Sequence, residues 1–475
     1  MLIEKAWAKA LTQPAQEFPL THLPILNGQI PEGLRGTLYR NGPGRLERGG
    51  VPVGHWFDGD GGILAVHFTE AGAMGVYRYV QTAGYQAESA AGRFLYSNYG
   101  MTAPGAIWQR WGKPVKNVAN TSVLALSDKL LALWEGGKPY ALDSQTLETW
   151  GMDDLGGLET QLTYSAHYKC DPHTGEIFNF GTTTGIKPAL TLNLYRSDAT
   201  GKILQKSQFQ LDGFPLIHDF VLAGPYLVCF VPPVRLTNPL SVLLGLSSYS
   251  DALQWQPNLG TQVLVFDRNT LSLVSRSETD PWFQWHIANG YVDEGGMAIA
   301  HLIRYEDFQT NQYLKEVATG ATHTQQKGSL WRICFDPQTA KVIAVEEVLD
   351  RGCEFPTVPQ QQVGQASRDI YLALHRKGVD TSQEMFGAIA RFDTHTHTLT
   401  EADLGENRYP SEPLCVQDAY NPQQKWVLTV VWDGNCETSE VWVFNSDGCD
   451  REPVCRLKLP SIVPFGFHGT WKPNF

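Results

Sequence analysis

Short runs of β-type residues recur along the whole chain, and a turn residue closes each run. Val, Ile, Leu and aromatic residues fill the runs, and Asp, Asn, Gly or Pro follows them, which is typical of strands separated by tight turns. Clear examples are GTLYRNG at 36–42, GILAVHF at 62–68, YLVCFVPP at 226–233 and KWVLTVVWD at 425–433. The sequence contains no long segment with the 3.6-residue period of an amphipathic helix. It therefore predicts an all-β fold.

An aromatic residue, an aspartate and a short turn recur at the ends of several runs. The segments are TQVLVFDRNT at 261–270, GSLWRICFDPQTAK at 328–341 and RFDTHTHTL at 391–399. Such repeated hairpins indicate a β-propeller, in which one blade of four strands takes roughly 40–50 residues. We therefore expect one propeller domain over 1–475. Its first part, 1–20, would be an N-terminal extension that begins with a short helix at 1–12.

Charge and composition narrow the classes of partner and compartment. The chain has 37 Lys and Arg against 49 Asp and Glu, a net charge of −12, which disfavours binding to nucleic acid. The first residues lack a continuous apolar stretch, and no run of apolar residues is long enough to span a bilayer. The eight cysteines are scattered and are expected to be reduced thiols. These features predict a cytoplasmic protein and leave its oligomeric state open.

The segment PLSVLLGLSSYSDALQW at 239–255 carries an apolar cluster that is too short to cross a membrane. It has two readings: it caps the core, or it dips into a membrane leaflet to collect a lipid-like substrate. Because the acidic net charge disfavours docking to anionic lipids, membrane contact would depend on apolar burial around 240–246.

Four of the thirteen histidines are embedded among apolar or aromatic residues, where a protonated imidazole would be costly. Intervals of 51, 68 and 182 residues separate them, which is enough to place them on different blades; they are His167, His218, His286 and His468. A single buried histidine is more often a hydrogen-bonded core residue than a ligand. Spacing alone therefore leaves both a core role and a four-histidine metal centre open.

An ordered set of motifs gives the sequence a specific resemblance. The motifs are PEGLRGTLYRNGPG, HWFDGDGGILAVHF, LLALWEGGKPYALD, SAHYKCDPHTGE, IHDF, FQWHIANGY, CEFPTV, SEPLCV and PFGFHGTW, from residue 31 to residue 471. Together they resemble the carotenoid cleavage oxygenase family, which includes cyanobacterial apocarotenoid oxygenases, plant epoxycarotenoid dioxygenases and the animal retinal-pigment isomerase. The resemblance implies a seven-bladed propeller with a dome of loops and helices over a metal on the propeller axis.

The matching motifs imply that the same four histidines are the ligands of one Fe(2+) ion. The choice of iron comes from the family resemblance, because imidazole also suits zinc, copper and nickel. Carboxylates behind the ligands should accept N–H bonds from the imidazoles and fix their tautomers. The resemblance implies three pairs: Glu135 with His218, Glu354 with His286 and Glu412 with His468. It leaves His167 without a carboxylate partner. Thr121, in NVANTSVL, matches the position whose methyl group crowds one coordination site.

The reaction implied is the oxidative cleavage of one conjugated double bond of a carotenoid or apocarotenoid, with O2 as co-substrate and two carbonyl products. The polyene supplies the electrons, and the chain has no convincing dinucleotide-binding GxGxxG motif. Aromatic residues beside the family motifs are expected to bind the hydrophobic polyene, and these are Phe57, Trp134, Trp285 and Phe355.

Other functions remain open at this stage. A stilbene-type enzyme would keep the fold and the iron but use polar residues, typically Tyr and Lys, to engage a phenol; Lys138 follows WEGG, without an evident Tyr partner. More remote alternatives are a retinyl-ester isomerohydrolase, a zinc hydrolase and a non-catalytic propeller scaffold. The family resemblance also suggests a bacterial, cyanobacterial source. The sequence does not fix which double bond is cut, whether cleavage is symmetric, or whether the substrate is full-length.

Overall fold

The computed structural model of the protein describes residues 5–184 and 189–474. Within these ranges, seven sheets of at least four strands each form the blades of a β-propeller. The predicted all-β fold and the seven blades implied by the resemblance are confirmed. The first four residues of the helix predicted over 1–12 lie outside the described residues, and the rest of that segment holds a single 3-10 turn, Ala8–Ala10.

The first three blades occupy the N-terminal half of the chain, and the C-terminal strand completes blade one. Blade one contains Phe18–His22, Gly36–Arg45, Asp60–Thr69, Gly72–Tyr79 and Gly469–Pro473. Blade two contains Ser122–Ala125, Leu130–Leu133, Tyr140–Leu142 and Thr149–Met152. Blade three contains Lys169–Cys170, Ile177–Thr184, Ala189–Ser197 and Ile203–Asp212.

The remaining blades follow in chain order. Blade four contains Val221–Ala223, Tyr226–Val231, Thr261–Asp267 and Leu273–Thr279. Blade five contains Ile287–Val292, Ala298–Arg304, Ser329–Phe335 and Val342–Leu349. Blade six contains Cys353–Thr357, Asp369–Leu374, Ala388–Asp393 and Thr398–Asp403. Blade seven contains Ile25–Gly28, Arg408–Pro410, Leu414–Gln417, Lys425–Asp433, Thr438–Asn445 and Cys455–Lys458.

Two pairings between distant parts of the chain close the ring. Gly469–Pro473 runs antiparallel to Gly36–Arg45 and supplies the innermost strand of blade one. Ile25–Gly28 pairs with Cys455–Lys458 at the outer edge of blade seven. Because strands from both ends of the chain enter these two blades, the propeller has no open edge between its first and last blades.

The core consists of apolar clusters between neighbouring blades. Between blades four and five, for example, the aromatic rings of Phe230, Trp282 and Phe335 are fully buried. The hairpin turns expected from the repeated aspartates are present: the Asp267 carboxylate accepts hydrogen bonds from the backbone N–H groups of Asn269 and Thr270. The short β-type runs of the sequence form strands because each strand buries one face against the neighbouring blade.

Helices, ribbons and loops outside the blades form a dome at one end of the propeller. The α-helices are Ala83–Ala91, Ile107–Arg110, Pro239–Leu243, Tyr249–Ala252 and Gln309–Val317. The 3-10 turns Trp56–Asp58 and Pro257–Leu259 also belong to the dome, whereas Gln360–Gln362 and Ser446–Gly448 lie at the opposite end of the propeller. The two ribbons pair Glu47–Arg48 with Val51–Pro52 and Val234–Leu236 with Leu253–Trp255. Trp7, from the N-terminal extension, is fully buried in the dome and donates a hydrogen bond to the Gln383 carbonyl.

Candidate metal centre

Each of the four selected histidines lies one to three residues before the first residue of the innermost strand of a blade. These innermost strands line a common axial channel. Because all of them start at the same end of the propeller, residues that precede them converge on the axis. The histidines and the strands that follow them are His167 before Lys169–Cys170, His218 before Val221–Ala223, His286 before Ile287–Val292 and His468 before Gly469–Pro473.

The four imidazole rings form one cluster. Five of the six possible ring pairs are in contact, and their centroids are 4.3–5.3 Å apart. The Nε2 atoms of His218 and His286 are 3.4 Å apart. Ring nitrogens of these two residues and of His167 lie within 4.8 Å of one another, a spacing that can hold a metal ion. His468 joins the cluster through its ring contacts with His167 and His286.

Two buried glutamates fix two of the rings from behind. His286 Nδ1 lies 2.5 Å from Glu354 Oε2, and His468 Nδ1 lies 2.8 Å from Glu412 Oε1. Glu412 also accepts a hydrogen bond of 2.9 Å from the Arg40 guanidinium, and both partners are buried. When Nδ1 donates to a carboxylate, the Nε2 atom carries the free lone pair and can bind a metal.

Glu135 is placed differently, in the hairpin that follows Leu130–Leu133. Its Oε1 atom lies 2.5 Å from His218 Nδ1 and 3.8 Å from His167 Nε2. The short contact with His218 lacks hydrogen-bond geometry, so it is a close polar contact rather than a directed hydrogen bond. The side chain is 32% exposed, whereas the other two carboxylates are buried. Glu135 thus contacts two of the histidines, and one of them is His167, for which the resemblance implied no carboxylate partner.

The donor set fits a divalent metal ion. His167 Nε2 is buried and has no hydrogen-bond partner among the described residues. The Nε2 lone pairs of His218 and His286 would repel each other at 3.4 Å unless a cation or a proton lay between them. Burial and the neighbouring rings hold the pKa of His167 well below its ordinary value, so this imidazole stays neutral, as a metal ligand must.

The buried pairs shift each other's pKa values. Burial alone would lower the pKa of His286, but the charge and hydrogen bond of Glu354, together with the charges of Asp219 and Glu412, leave that pKa raised. For His468, burial outweighs the attraction of Glu412, and its pKa is lowered. Burial would raise the pKa values of both carboxyl groups, yet the facing imidazoles, neighbouring hydrogen-bond donors and, for Glu412, the Arg40 guanidinium lower them, so both glutamates are ionised.

Two of the four aromatic residues selected from the sequence lie on the cluster, and a third lies one ring further out. The Trp285 ring is 4.8 Å from the His218 ring, and its indole N–H donates to the Thr310 hydroxyl. Phe355 stacks on His286 with the ring centroids 5.4 Å apart. Phe57 lies one ring further out and contacts Trp285 edge-on at 5.5 Å.

Trp134 and Thr121 have less direct relations to the cluster. Trp134 is half-buried and lies against the backbone of Gly136, without a ring contact to any of the four histidines. The Thr121 carbonyl accepts a hydrogen bond from the His468 N–H, and its hydroxyl donates to Asn120. Thr121 is therefore adjacent to the cluster through its backbone.

Sequence reasoning missed several residues that complete this region. Arg40, which neutralises Glu412, lies within the quoted motif GTLYRNG, but nothing local distinguishes it from a surface arginine. Tyr305 donates a hydrogen bond to Glu354, and Phe467 contacts Phe57 with centroids 5.4 Å apart. The residue next to His468 could have suggested Phe467, whereas Tyr305 belongs to no selected motif.

A cavity of about 370 Å³ follows the axis along the innermost strands and reaches His167, His286 and His468. Polar and charged side chains line much of it, including Lys169 and Asp219, which form an ion pair of 2.8 Å. The selected aromatic residues do not line this cavity. The axial cavity is therefore distinct from the aromatic polyene-binding surface expected from the sequence.

Comparisons with known proteins agree with this architecture. The protein family described as "Retinal pigment epithelial membrane protein" matches residues 11–473. The apocarotenoid-15,15'-oxygenase of Synechocystis sp. is 32% identical over 94% of this chain and 92% of its own length. The resveratrol cleavage oxygenase 1 of Aspergillus fumigatus is 25% identical over 94% of this chain and 91% of its own length.

Solved structures give the same result in three dimensions. The cobalt-substituted apocarotenoid oxygenase of Synechocystis superposes with a TM-score of 0.88 at 30% identity, covering 99% of this chain and 98% of that chain. That structure is of a cobalt-substituted protein, which agrees with the imidazole cluster of this chain as a metal site.

The different environments of Glu135 and Glu412 generate a prediction. Glu135→Gln should weaken Co²⁺ binding by about 10–100-fold, because the carboxylate behind a histidine ligand is lost. The melting temperature of the metal-free protein should hardly change, since Glu135 is partly exposed and has no arginine partner among the described residues. Glu412→Gln should weaken metal binding and also lower that melting temperature, because it leaves Arg40 buried without its counter-charge. Metal titration and thermal unfolding of both variants would measure this; equal melting temperatures would contradict it.

Proposed function

The chain belongs to the carotenoid cleavage oxygenase family, and from this membership we propose that it is an Fe(2+)-dependent oxygenase that cleaves a conjugated double bond of a carotenoid or apocarotenoid to two carbonyl products. The observation that carries the proposal is the cluster of four imidazoles backed by three glutamates on the propeller axis. One ion per chain would be held by His167, His218, His286 and His468.

The protein residues would perform separate tasks around that centre. When bound, Fe(2+) would supply the activation of O2. Glu135, Glu354 and Glu412 would hold the ligand imidazoles in the tautomer that offers Nε2. The methyl group of Thr121 would restrict the space beside His468, whose N–H bonds to the Thr121 carbonyl.

Aromatic side chains would position the polyene. Trp285 and Phe355 lie directly on the histidine cluster, and Phe57 extends this surface outward. Flat apolar rings at these places would hold a rigid conjugated chain by dispersion and exclude water from the reacting bond. Trp134, beside Glu135, would contribute to the same binding surface at its edge.

A stilbene-type substrate is the second candidate, because a resveratrol-cleaving enzyme is among the relatives. Lys138 is the lysine considered for engaging a phenol. Its Nζ atom instead donates a hydrogen bond of 2.6 Å to the Leu158 carbonyl. With this amine occupied, the observations favour the polyene.

Peripheral membrane contact is part of the proposal, because a polyene of this kind resides in lipid. Two short helices, Ile107–Arg110 and Pro239–Leu243, are joined by a hydrogen bond of 2.7 Å from the Arg110 side chain to the Gly245 carbonyl. Around them lies an exposed apolar patch of Ile107, Trp108, Trp111, Leu240, Leu243 and Leu246. Leu253, at the other end of segment 239–255, is buried, so contact would be limited to the first part of that segment.

Among the residues that the structure describes, no helix is long and apolar enough to cross a bilayer. Attachment through this apolar patch would be peripheral, with Trp108 and Trp111 at the interface between lipid and water.

Product analysis tests the proposed reaction. After anaerobic loading with Fe(2+), the protein should convert β-apo-carotenals or β-carotene under O2 to two carbonyl products, with resveratrol as the competing substrate. The masses of the products identify the bond that is cut, and labelled O2 should appear in them. Full turnover after rigorous iron removal, or cleavage of resveratrol alone, would contradict the proposal.

Truncation of an aromatic side chain tests the proposed binding surface. Phe57→Leu should raise KM for the polyene by about two- to tenfold, because one aromatic contact with the substrate is lost. Metal content should not change, since Phe57 touches none of the four histidines. The control is Phe209→Leu, which removes a ring that packs against Phe266 in the blades. An equal KM in both variants would refute this role for Phe57.

A charge placed on the exposed patch tests membrane contact. Leu243 is 77% exposed, so Leu243→Glu should leave stability intact and reduce co-flotation with neutral phosphatidylcholine vesicles severalfold. Ile343, on the outer strand of blade five, is 61% exposed, and Ile343→Glu is the matched control that should float like the parent protein. Unchanged flotation of the Leu243 variant would disprove contact through this patch.

A further inference from the structure

Glu354 is held by neighbours that differ from those of the other two glutamates. Its Oε2 atom contacts His286 and accepts a hydrogen bond of 2.6 Å from the Phe355 N–H. Its Oε1 atom accepts a hydrogen bond of 2.9 Å from the Tyr305 hydroxyl. Glu412 is neutralised by Arg40 instead, and Glu135 has neither kind of support among the described contacts.

The Tyr305 hydroxyl is itself firmly placed. Tyr305 and Phe283 exchange two backbone hydrogen bonds, of 2.8 and 3.0 Å, at the end of the strand that precedes Tyr305. The Gln326 side chain donates to the hydroxyl oxygen at 3.3 Å. Gly328 packs so closely that an added Cβ atom would lie 2.7 Å from the Tyr305 ring. The ring therefore has little freedom to move the hydroxyl away from Glu354.

The direction of these hydrogen bonds is also fixed. Gln326 gives an N–H to the Tyr305 oxygen, which leaves the tyrosine proton for Glu354. Burial and the nearby carboxylate raise the pKa of Tyr305 well above its ordinary value, so the hydroxyl keeps its proton. A neutral donor orients the carboxylate without cancelling its negative charge, whereas Arg40 cancels the charge of Glu412.

We propose that Tyr305 is a positioning residue for the metal centre: through Glu354, it sets the orientation of the His286 imidazole. The inference rests on the proposed function only in taking His286 as a metal ligand. In a buried chain of hydrogen bonds, loss of the hydroxyl that donates to the carboxylate lets the carboxylate rotate about its side-chain torsion angles and turns the imidazole bonded to it.

The left-handed backbone conformation of Phe355 supports this view. Its φ of 52° is rare for an aromatic residue, and in this conformation its N–H contacts Glu354 while its ring stacks on His286. The imidazole is therefore fixed on its face by Phe355 and at Nδ1 by Glu354. Tyr305 supplies the remaining restraint, at the second oxygen of the carboxylate.

The test is Tyr305→Phe, which removes one hydroxyl and keeps the ring. Titration with Co²⁺ should show binding that is about tenfold weaker, the lower end of the effect known for groups behind metal ligands. The visible absorption spectrum of the Co²⁺ protein should change as well, because one imidazole is reoriented. If the proposed oxygenase activity is present, kcat should fall while KM for the polyene stays constant.

Tyr195→Phe is the matched control. Tyr195 is fully buried in blade three, and its hydroxyl makes one hydrogen bond, of 3.0 Å, to the Thr163 carbonyl. This variant loses a comparable bond outside the histidine cluster, since the Tyr195 ring contacts none of the four histidines. It should therefore match the melting temperature of metal-free Tyr305→Phe and keep the Co²⁺ affinity and spectrum of the parent protein.

Equal Co²⁺ affinity and spectra for the two tyrosine variants would overturn the proposal. If Tyr305→Phe does not fold, the same measurements on Gln326→Leu provide the test. This variant removes the hydrogen bond from Gln326 to the Tyr305 hydroxyl and leaves Tyr305 and Glu354 in place. A smaller change in the same direction would support the role, and an unchanged spectrum would overturn it. The cobalt measurements need no substrate, so failure of the proposed reaction would be distinguishable from failure of this inference.

Discussion

The repulsion among unprotonated imidazole nitrogens inside the protein is the constraint on which the centre depends. The structure brings four rings from blades one, three, four and five to one place, and two Nε2 atoms approach to 3.4 Å. Each ring lies where the backbone enters an innermost strand, so the propeller itself imposes the convergence. A divalent cation would turn this repulsion into attraction, because it would accept all the lone pairs.

The three glutamates differ in whether another protein side chain neutralises their negative charge. Glu412 and Arg40 form a buried pair whose charges cancel. Glu135 and Glu354 contact no lysine or arginine side chain among the described ion pairs, so their two negative charges would balance those of a divalent ion. The bound centre would thus be nearly neutral, which matters in an interior where a net charge is costly. The protein would select a doubly charged metal partly through this balance.

Much of the fold could be predicted from the sequence, because short strands and Asp-containing turns are local signals. The run KWVLTVVWD, for instance, coincides with the strand Lys425–Asp433. The site itself could be anticipated only through family motifs, since each histidine alone resembles a core residue. Local sequence could not reveal Tyr305 or Arg40, because their contacts with Glu354 and Glu412 span 49 and 372 residues. It also could not reveal that Trp108 adjoins the apolar segment from 239 onward, because a dome contact creates that patch.

Crystallography of the Fe(2+)-loaded protein with anomalous data at the iron absorption edge would test the central claim most directly. The account predicts a single strong anomalous peak on the propeller axis, bounded by ring nitrogens of His167, His218, His286 and His468, with no carboxylate oxygen bound to the ion. A peak coordinated by Glu135 or by other residues, or an empty axis in protein that contains stoichiometric iron, would contradict it.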